Sequence, residues 1–345
     1  MEYFSIYHIS SLPNPIVDRF CLRILPNIEH KIKWFNLETS SMERILLSGN
    51  YSNLSGLGIY NFTKDKALHY FTGQTSLTHI FKNQIVSLVI HTIGQEYLSI
   101  DLNALIIRNI ITMFPNLKFL NYNPNAEDCL HLLDGRFNQL HVFNVKIQSA
   151  LSSIPTISEE KLLSLRYFSL TCVSKMYFYD TIVIPLLHRM SNLEELRLYF
   201  NCSREESFVD GNDLKTNILI HLPRLTTFKF NICSFINHYN QSDLLSNEDI
   251  RNTFRDFSNN EIISCVDYFP DENKGQCHIY SYPFTLISYE RITNNFPGGL
   301  FPYVRKVSLF DEQSFQHEFF IRIQKSFPFI KKLTVTIARS KSPCV

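Results

Sequence analysis

Glycine is scarce in this sequence, at 10 of 345 residues, or about 3% against a usual 7%. Charge of one sign is also lacking, since 33 Lys and Arg face 32 Asp and Glu for a net charge of +1. Glycine-rich phosphate loops and long-range attraction to nucleic acid or anionic lipid are therefore disfavoured. The N-terminus carries no signal-peptide pattern, and no apolar run approaches the length of a membrane span. We expect no nucleic-acid or membrane partner and a cytoplasmic or nuclear location.

Sequence signatures of catalysis and metal binding are missing as well. The chain has no G-x-S-x-G, no G-x-x-x-x-G-K-[ST], no H-E-x-x-H and no G-x-G-x-x-G. Its 8 cysteines are spread along the whole chain without zinc-site spacing, as is typical of reduced, buried thiols. The acidic turn Asp210 to Asp213 lacks the final glutamate of a calcium loop. We expect a protein that is not an enzyme and that has no metal and no cofactor.

A repeated turn-to-strand frame is what the sequence does contain. Segments read apolar-Pro/Ser-Asn-Leu-x-x-Leu-x-Leu or a variant of it, with aromatic and β-branched replacements. The frame starts at these first apolar positions: Ile32, Leu54, Ile85, Leu117, Leu140, Leu165, Leu193, Leu225, Val304 and Ile330, with a degenerate copy at Ile263. The mean spacing is about 30 residues, slightly above the 20–29 usual for a leucine-rich repeat.

Alternation within the frame predicts parallel strands. Leu196 and Leu198 would enter the core while Glu195 and Arg197 face outward. Segments with helical spacing precede several strands, at 102–113, 182–190, 214–221 and 315–326. The fold class is therefore α/β, a leucine-rich-repeat solenoid with strands on the concave face, helices outside and irregular repeat lengths. A conventional doubly wound α/β sheet is the alternative.

Local sequence patterns predict two helix caps and one insertion into the repeat. Capping boxes are predicted at Ser40 to Glu43 and at Ser246 to Asp249, the second opening a helix over 249–257. Residues 240–295 interrupt the repeat, and ISCVDYF and GQCHIYSYP around the turn PDENKG predict a β-hairpin there.

The chain resembles the repeat portion of F-box proteins with irregular leucine-rich repeats, over roughly residues 20–338. The phrases that carry the resemblance are KIKWFNLETSSMERILL, LLDGRFNQLHVF, IPLLHRMSNLEEL, ISCVDYF, QCHIYSYP and NNFPGGLF. The resemblance implies that repeats select a ubiquitylation substrate and that a preceding F-box docks a Skp1-type adaptor. The first repeat at Ile32 leaves too few residues for a complete F-box. Residues 1–31 are thus an N-terminal helical cap, the remnant of a lost F-box, or part of a truncated product.

The expected function is a non-enzymatic protein-protein interaction module. Residues 32–338 form the repeat region, and residues 339–345 form a basic tail. A protein partner would bind the outward strand positions on the concave face, where aromatic residues and arginine are typical of hot spots. The candidate residues are Trp34, Tyr60, Phe119, Tyr167, Glu195, Arg197, Tyr199 and Lys229. Substrate recognition in an SCF-type ubiquitin ligase is the narrower hypothesis, and a general scaffold or an α/β enzyme are the alternatives.

Overall fold

The structure is a computed structural model that describes residues 13–62, 69–70, 83–92, 109–110, 113–123, 138–147, 160–205, 207–237, 244–257 and 261–338. The strands are β1 (Trp34–Glu38), β2 (Gly56–Phe62), β3 (Ser87–Thr92), β4 (Phe119–Asn123), β5 (Val142–Ile147), β6 (Tyr167–Met176), β7 (Glu195–Arg204), β8 (Thr227–Asn237), β9 (Ile262–Phe269), β10 (Lys274–Ser281), β11 (Ser288–Ile292), β12 (Lys306–Asp311) and β13 (Lys332–Ile337). The α-helices are α1 (Asn14–Arg19), α2 (Leu25–Ile28), α3 (Thr39–Leu47), α4 (Ile184–His188), α5 (Gly211–Asn217), α6 (Asn247–Asn252) and α7 (His317–Ser326), with π-helical turns at Phe20–Ile24 and Tyr179–Val183 and 3₁₀ turns at Glu29–Lys31 and Leu219–His221.

The strands form two sheets, and the larger one is mostly parallel. Its order is β1-β2-β3-β4-β5-β6-β7-β8-β10-β9, and the smaller sheet has the order β11-β12-β13. The pairs from β1 to β6 are parallel, as are both pairs of the smaller sheet. β10 runs antiparallel to both β8 and β9. The α/β class of the chain is confirmed.

Repeat frames in the described part of the chain share one kind of turn. The first leucine of the frame donates its backbone N–H to the carbonyl three residues earlier, at Leu117 (3.0 Å), Leu193 (2.9 Å) and Leu225 (3.0 Å). The strand begins two residues later, and its first N–H bonds to the corresponding carbonyl of the preceding repeat, as in Glu195 to Arg166. Leu196 and Leu198 are buried, as predicted, and Glu195 and Arg197 are partly exposed.

The asparagine before the leucine has a role that the frame did not reveal. The side-chain amides of Asn116 and Asn192 donate to the carbonyls of Asn83 (2.8 Å) and Leu163 (2.9 Å), each in the preceding repeat. A backbone carbonyl of the preceding turn is thereby bonded by a side chain and not by the sheet ladder. The Asn-Leu pair therefore joins neighbouring turns as well as starting a strand.

Several local predictions can be compared with the structure. The hairpin of β9 and β10 and the capping box of Ser246 and Asp249 are confirmed, although the helix there spans Asn247–Asn252. The capping box at Ser40 is wrong, because the Glu38 carboxylate caps α3 by accepting from the Ser40 N–H. The repeat copy at Ile263 is also wrong, because β9 belongs to the antiparallel hairpin. The strand that precedes β12 and pairs with it in parallel is instead β11, which begins two residues after Leu286.

The N-terminal helical segment, Asn14 to Lys31, packs one side inward. Val17, Cys21 and Leu25, spaced four residues apart, are buried. None of the helices among the described residues is both long and apolar enough to cross a membrane. The predicted helix at 102–113 lies mostly outside the described residues.

Contacts divide the chain into two compact units. The first comprises Met1–Ser174, Phe178–Arg197 and His221–Phe228, and the second comprises Lys175–Tyr177, Leu198–Ile220 and Lys229–Val345. The second unit contains a core of aromatic residues, formed by Tyr280, Phe284, Tyr289, Phe296, Phe301 and Phe327.

Candidate protein-binding face

All eight predicted binding residues lie on strands at positions that alternate with buried residues. Trp34, Phe119, Tyr167 and Glu195 are each the first residue of a strand, and the register aligns Trp34, Gly56, Ser87, Phe119, Val142 and Tyr167 across β1 to β6. Six of the eight lie in the first unit, whereas Tyr199 and Lys229 lie in the second. The structure thus places the predicted residues on two surfaces, which we describe separately.

Trp34 lies at the start of the first surface, and we refer to its exposed indole ring as the Trp34 plate. Its indole lies directly over Gly56 in the neighbouring strand, where a Cβ atom would overlap the ring. The indole N–H donates to Asn36 Oδ1 (2.7 Å), and that oxygen in turn lies over Gly58. The absence of side chains at Gly56 and Gly58 therefore lets the ring lie flat, while 42% of Trp34 remains exposed.

A pair of stacked aromatic rings lies on the same surface. The rings of Tyr60 and His91 lie 4.8 Å apart at an interplanar angle of 16°. His91 Nδ1 accepts from the Asn123 side-chain amide at 3.4 Å. Burial, and then the charge of Lys146, lower the pKa of His91, so the neutral ring stacks on Tyr60 at pH 7.

The role of Gly56 can be tested with the fluorescence of Trp34, the only tryptophan in the chain. Gly56→Ala should displace the indole into solvent, shift its emission to longer wavelength, and increase quenching by acrylamide. The free energy of unfolding should fall by about 1–3 kcal/mol, as is usual for overpacking. Ser87→Ala, at the same register position on the next strand, should leave the spectrum unchanged. An unshifted spectrum in Gly56→Ala would contradict the placement of the ring.

Tyr167, Glu195 and Arg197 form a compact, neutral cluster. Arg197 Nε and Nη2 lie 2.7 Å and 2.6 Å from Glu195 Oε1, and its guanidinium lies 5.2 Å from the centre of the Tyr167 ring. Because the arginine is already paired with a carboxylate, it presents a rigid planar group and not a free charge. Such a group suits packing against a partner's aromatic or apolar side chain.

In the second unit, Tyr199 and Lys229 border a small depression. It is also lined by Asn231, Ser281, Pro283, Phe284 and Leu286. In the part of the chain that the structure describes, no group of three or more His, Cys, Asp or Glu side chains is arranged to hold a metal ion.

Two residues that help to form this face, Gly56 and His91, could not be identified from the sequence. The predicted residues did not include Gly56, which the register pairs directly with Trp34, or His91, whose ring stacks on Tyr60. Knowledge of the strand register would have revealed the first of these pairs, because Gly56 is the direct partner of Trp34. Neither the known protein-family models nor the curated protein sequences contain a match to this chain.

Proposed function

We propose that the chain is a leucine-rich-repeat solenoid that binds another protein through the outward face of its parallel strands. The recurring turn, with its bond from the first leucine and its shared carbonyl between repeats, supports the repeat interpretation. The six free, buried cysteines among the described residues support a reducing compartment, the cytoplasm or the nucleus.

The observation that carries the binding proposal is the Trp34 plate. A large indole on the surface is held in one orientation by its bond to Asn36 and by the two glycines of β2. A fixed aromatic ring loses little entropy on binding, and tryptophan is enriched among hot-spot residues. The neighbouring Tyr60 and His91 stack extends this surface with a second preorganised pair.

Comparative affinity purification tests the proposal. The intact chain, Trp34→Ala and Tyr303→Ala would each be used as bait, and the captured proteins quantified. Tyr303 is an exposed aromatic residue outside the strands and serves as the matched control. A partner of the face should be lost from Trp34→Ala and kept by Tyr303→Ala, with affinity reduced about 30-fold or more, as for a hot spot. Equal capture by all three baits would contradict the proposal.

Substrate recognition in an SCF-type ubiquitin ligase is the second candidate. The observation that favours it is the presence of four exposed apolar side chains on the N-terminal helical segment, where an F-box remnant would meet a Skp1-type adaptor. Leu22 is 77% exposed, and Ile16, Ile24 and Ile28 are exposed as well. Exposed apolar side chains in this density mark interaction sites.

The same purification separates the two candidates. If the segment retains adaptor binding, a Skp1-type adaptor should be captured by the intact chain and lost with Leu22→Asp, while the partner of the Trp34 plate is retained. Failure of the intact chain to capture an adaptor leaves the general protein-binding module as the function.

A further inference from the structure

Two cationic side chains share one aromatic ring in the second unit. Lys175 Nζ lies 4.5 Å from the centre of the Phe235 ring, and the Arg291 guanidinium carbon lies 5.2 Å from the same centre. Neither cation has a carboxylate within ion-pair distance among the described residues. The Phe235 ring is therefore contacted by two cations that have no ion-pair partner in the described part of the chain.

Arg291 is held rigidly at this position. It lies at an irregularity in the pairing of β11 with β12, with φ at +54°, a left-handed conformation that non-glycine residues rarely adopt. Its backbone N–H donates to Ser308 Oγ and its Nε donates to Gln276 Oε1, both at 2.9 Å. The guanidinium also lies 3.7 Å from the centre of the Phe310 ring.

These hydrogen bonds engage only part of the arginine. Its Nε and its backbone are engaged, whereas no described residue accepts a hydrogen bond from its two Nη atoms. Backbone strain at a rigidly held side chain is a feature of functional sites. Lysine on a flexible stem and arginine with a planar fork are both side chains that proteins use to bind oxyanions.

The neighbouring charges decide the charge of the ligand. The nearby Lys274 is paired with Glu272 at 2.9 Å. Burial lowers the pKa of Arg291, and the carboxylates of Glu272 and Asp267 raise it from beyond ion-pair distance. Burial lowers the pKa of Lys175, and the positive charges of Lys274 and Arg291 lower it further. The same repulsion would be relieved by a bound anion. Two cations without an ion-pair partner among the described residues favour a multiply charged oxyanion, and a phosphate monoester carries about −1.5 to −2 at pH 7.

We propose that Lys175 and Arg291, arranged around the Phe235 ring, form a binding site for a phosphate group. Arg291 would donate from its Nη atoms to two phosphate oxygens, and Lys175 would close over the group from the other side. The source of the phosphate is a phosphorylated side chain of a protein or free inorganic phosphate. This site does not depend on whether a partner contacts the Trp34 plate.

Calorimetric titration with inorganic phosphate, at constant ionic strength set by sodium chloride, tests the site. The intact chain should bind phosphate, and Lys175→Met should weaken that binding about tenfold or more. Lys306→Met, at an exposed strand position in the same unit, should bind as the intact chain does. Thermal unfolding of Lys175→Met, with a midpoint near that of the intact chain, shows that the variant folds.

A second ligand distinguishes the sources. A capped tripeptide with phosphoserine between two alanines should bind more tightly than inorganic phosphate if the natural ligand is a phosphorylated side chain, and no more tightly if it is free phosphate. Either result supports the site when Lys175→Met weakens it. Absence of phosphate binding to the intact chain, or equal weakening by Lys175→Met and Lys306→Met, would overturn the proposal.

Discussion

Replacing Phe301 with alanine is expected to lower the free energy of unfolding by about 3–5 kcal/mol. Phe301 is completely buried in the aromatic core of the second unit. Its ring centre lies 4.9 Å from that of Phe327, 5.3 Å from Tyr289 and 5.5 Å from Phe284. Removing the ring leaves a cavity and also removes these aromatic contacts, which rigid neighbours cannot replace.

Urea unfolding followed by circular dichroism measures this loss, and Phe329→Ala is the matched control. Phe329 lies two residues after the buried Phe327 in the same turn sequence, but it is 57% exposed and contacts the Arg305 guanidinium at 5.2 Å. Its replacement should change the free energy of unfolding by about 0.5 kcal/mol or less. Similar losses in both variants would show that Phe301 does not anchor the core.

The strands of the repeat were predictable because their signal is local. Leu193 closes a turn through its own N–H, and the alternation that follows puts Leu196 and Leu198 in the core and Arg197 outside. All of these positions lie within six residues, so turn chemistry and a period of two suffice. The two wrong local predictions have different causes. Ile263, Val266 and Tyr268 fit the repeat frame although β9 belongs to a hairpin, and Glu38 takes the place of Ser40 as the cap acceptor.

The contacts that build the candidate sites could not be predicted in this way. Trp34 lies over Gly56, and Tyr60 stacks on His91, only because β1, β2 and β3 pair in one particular register. Lys175, Phe235 and Arg291 are far apart in the sequence, and no turn motif predicts the irregular strand pairing at Arg291. The sequence identified which strand positions face outward, whereas the partners of each side chain depend on tertiary pairing.

Acidification is expected to destabilise the protein through His278. This histidine is buried on β10, where its Nε2–H donates to Asn231 Oδ1 and its ring packs edge-on against Tyr289 at 5.0 Å. Burial lowers the pKa of His278 to about 4 from an ordinary value of 6.5. Between these two values the unfolded chain binds a proton and the folded chain does not, so protonation favours the unfolded state.

The stability that His278 contributes is therefore complete above pH 6.5 and is lost as the pH falls towards 4. The slope is about 1.4 kcal/mol per pH unit, and the total loss is about 3 kcal/mol.

Other groups also titrate near pH 4, so the informative quantity is the difference in unfolding free energy between the intact chain and His278→Gln, whose amide can still donate to Asn231. Urea unfolding from pH 7 to 4.5 should show this difference shrinking or reversing as the pH falls, because only the intact chain has a buried imidazole to protonate. His317→Gln, at an exposed position, should remain parallel to the intact chain, and a parallel curve for His278→Gln would contradict the lowered pKa of His278.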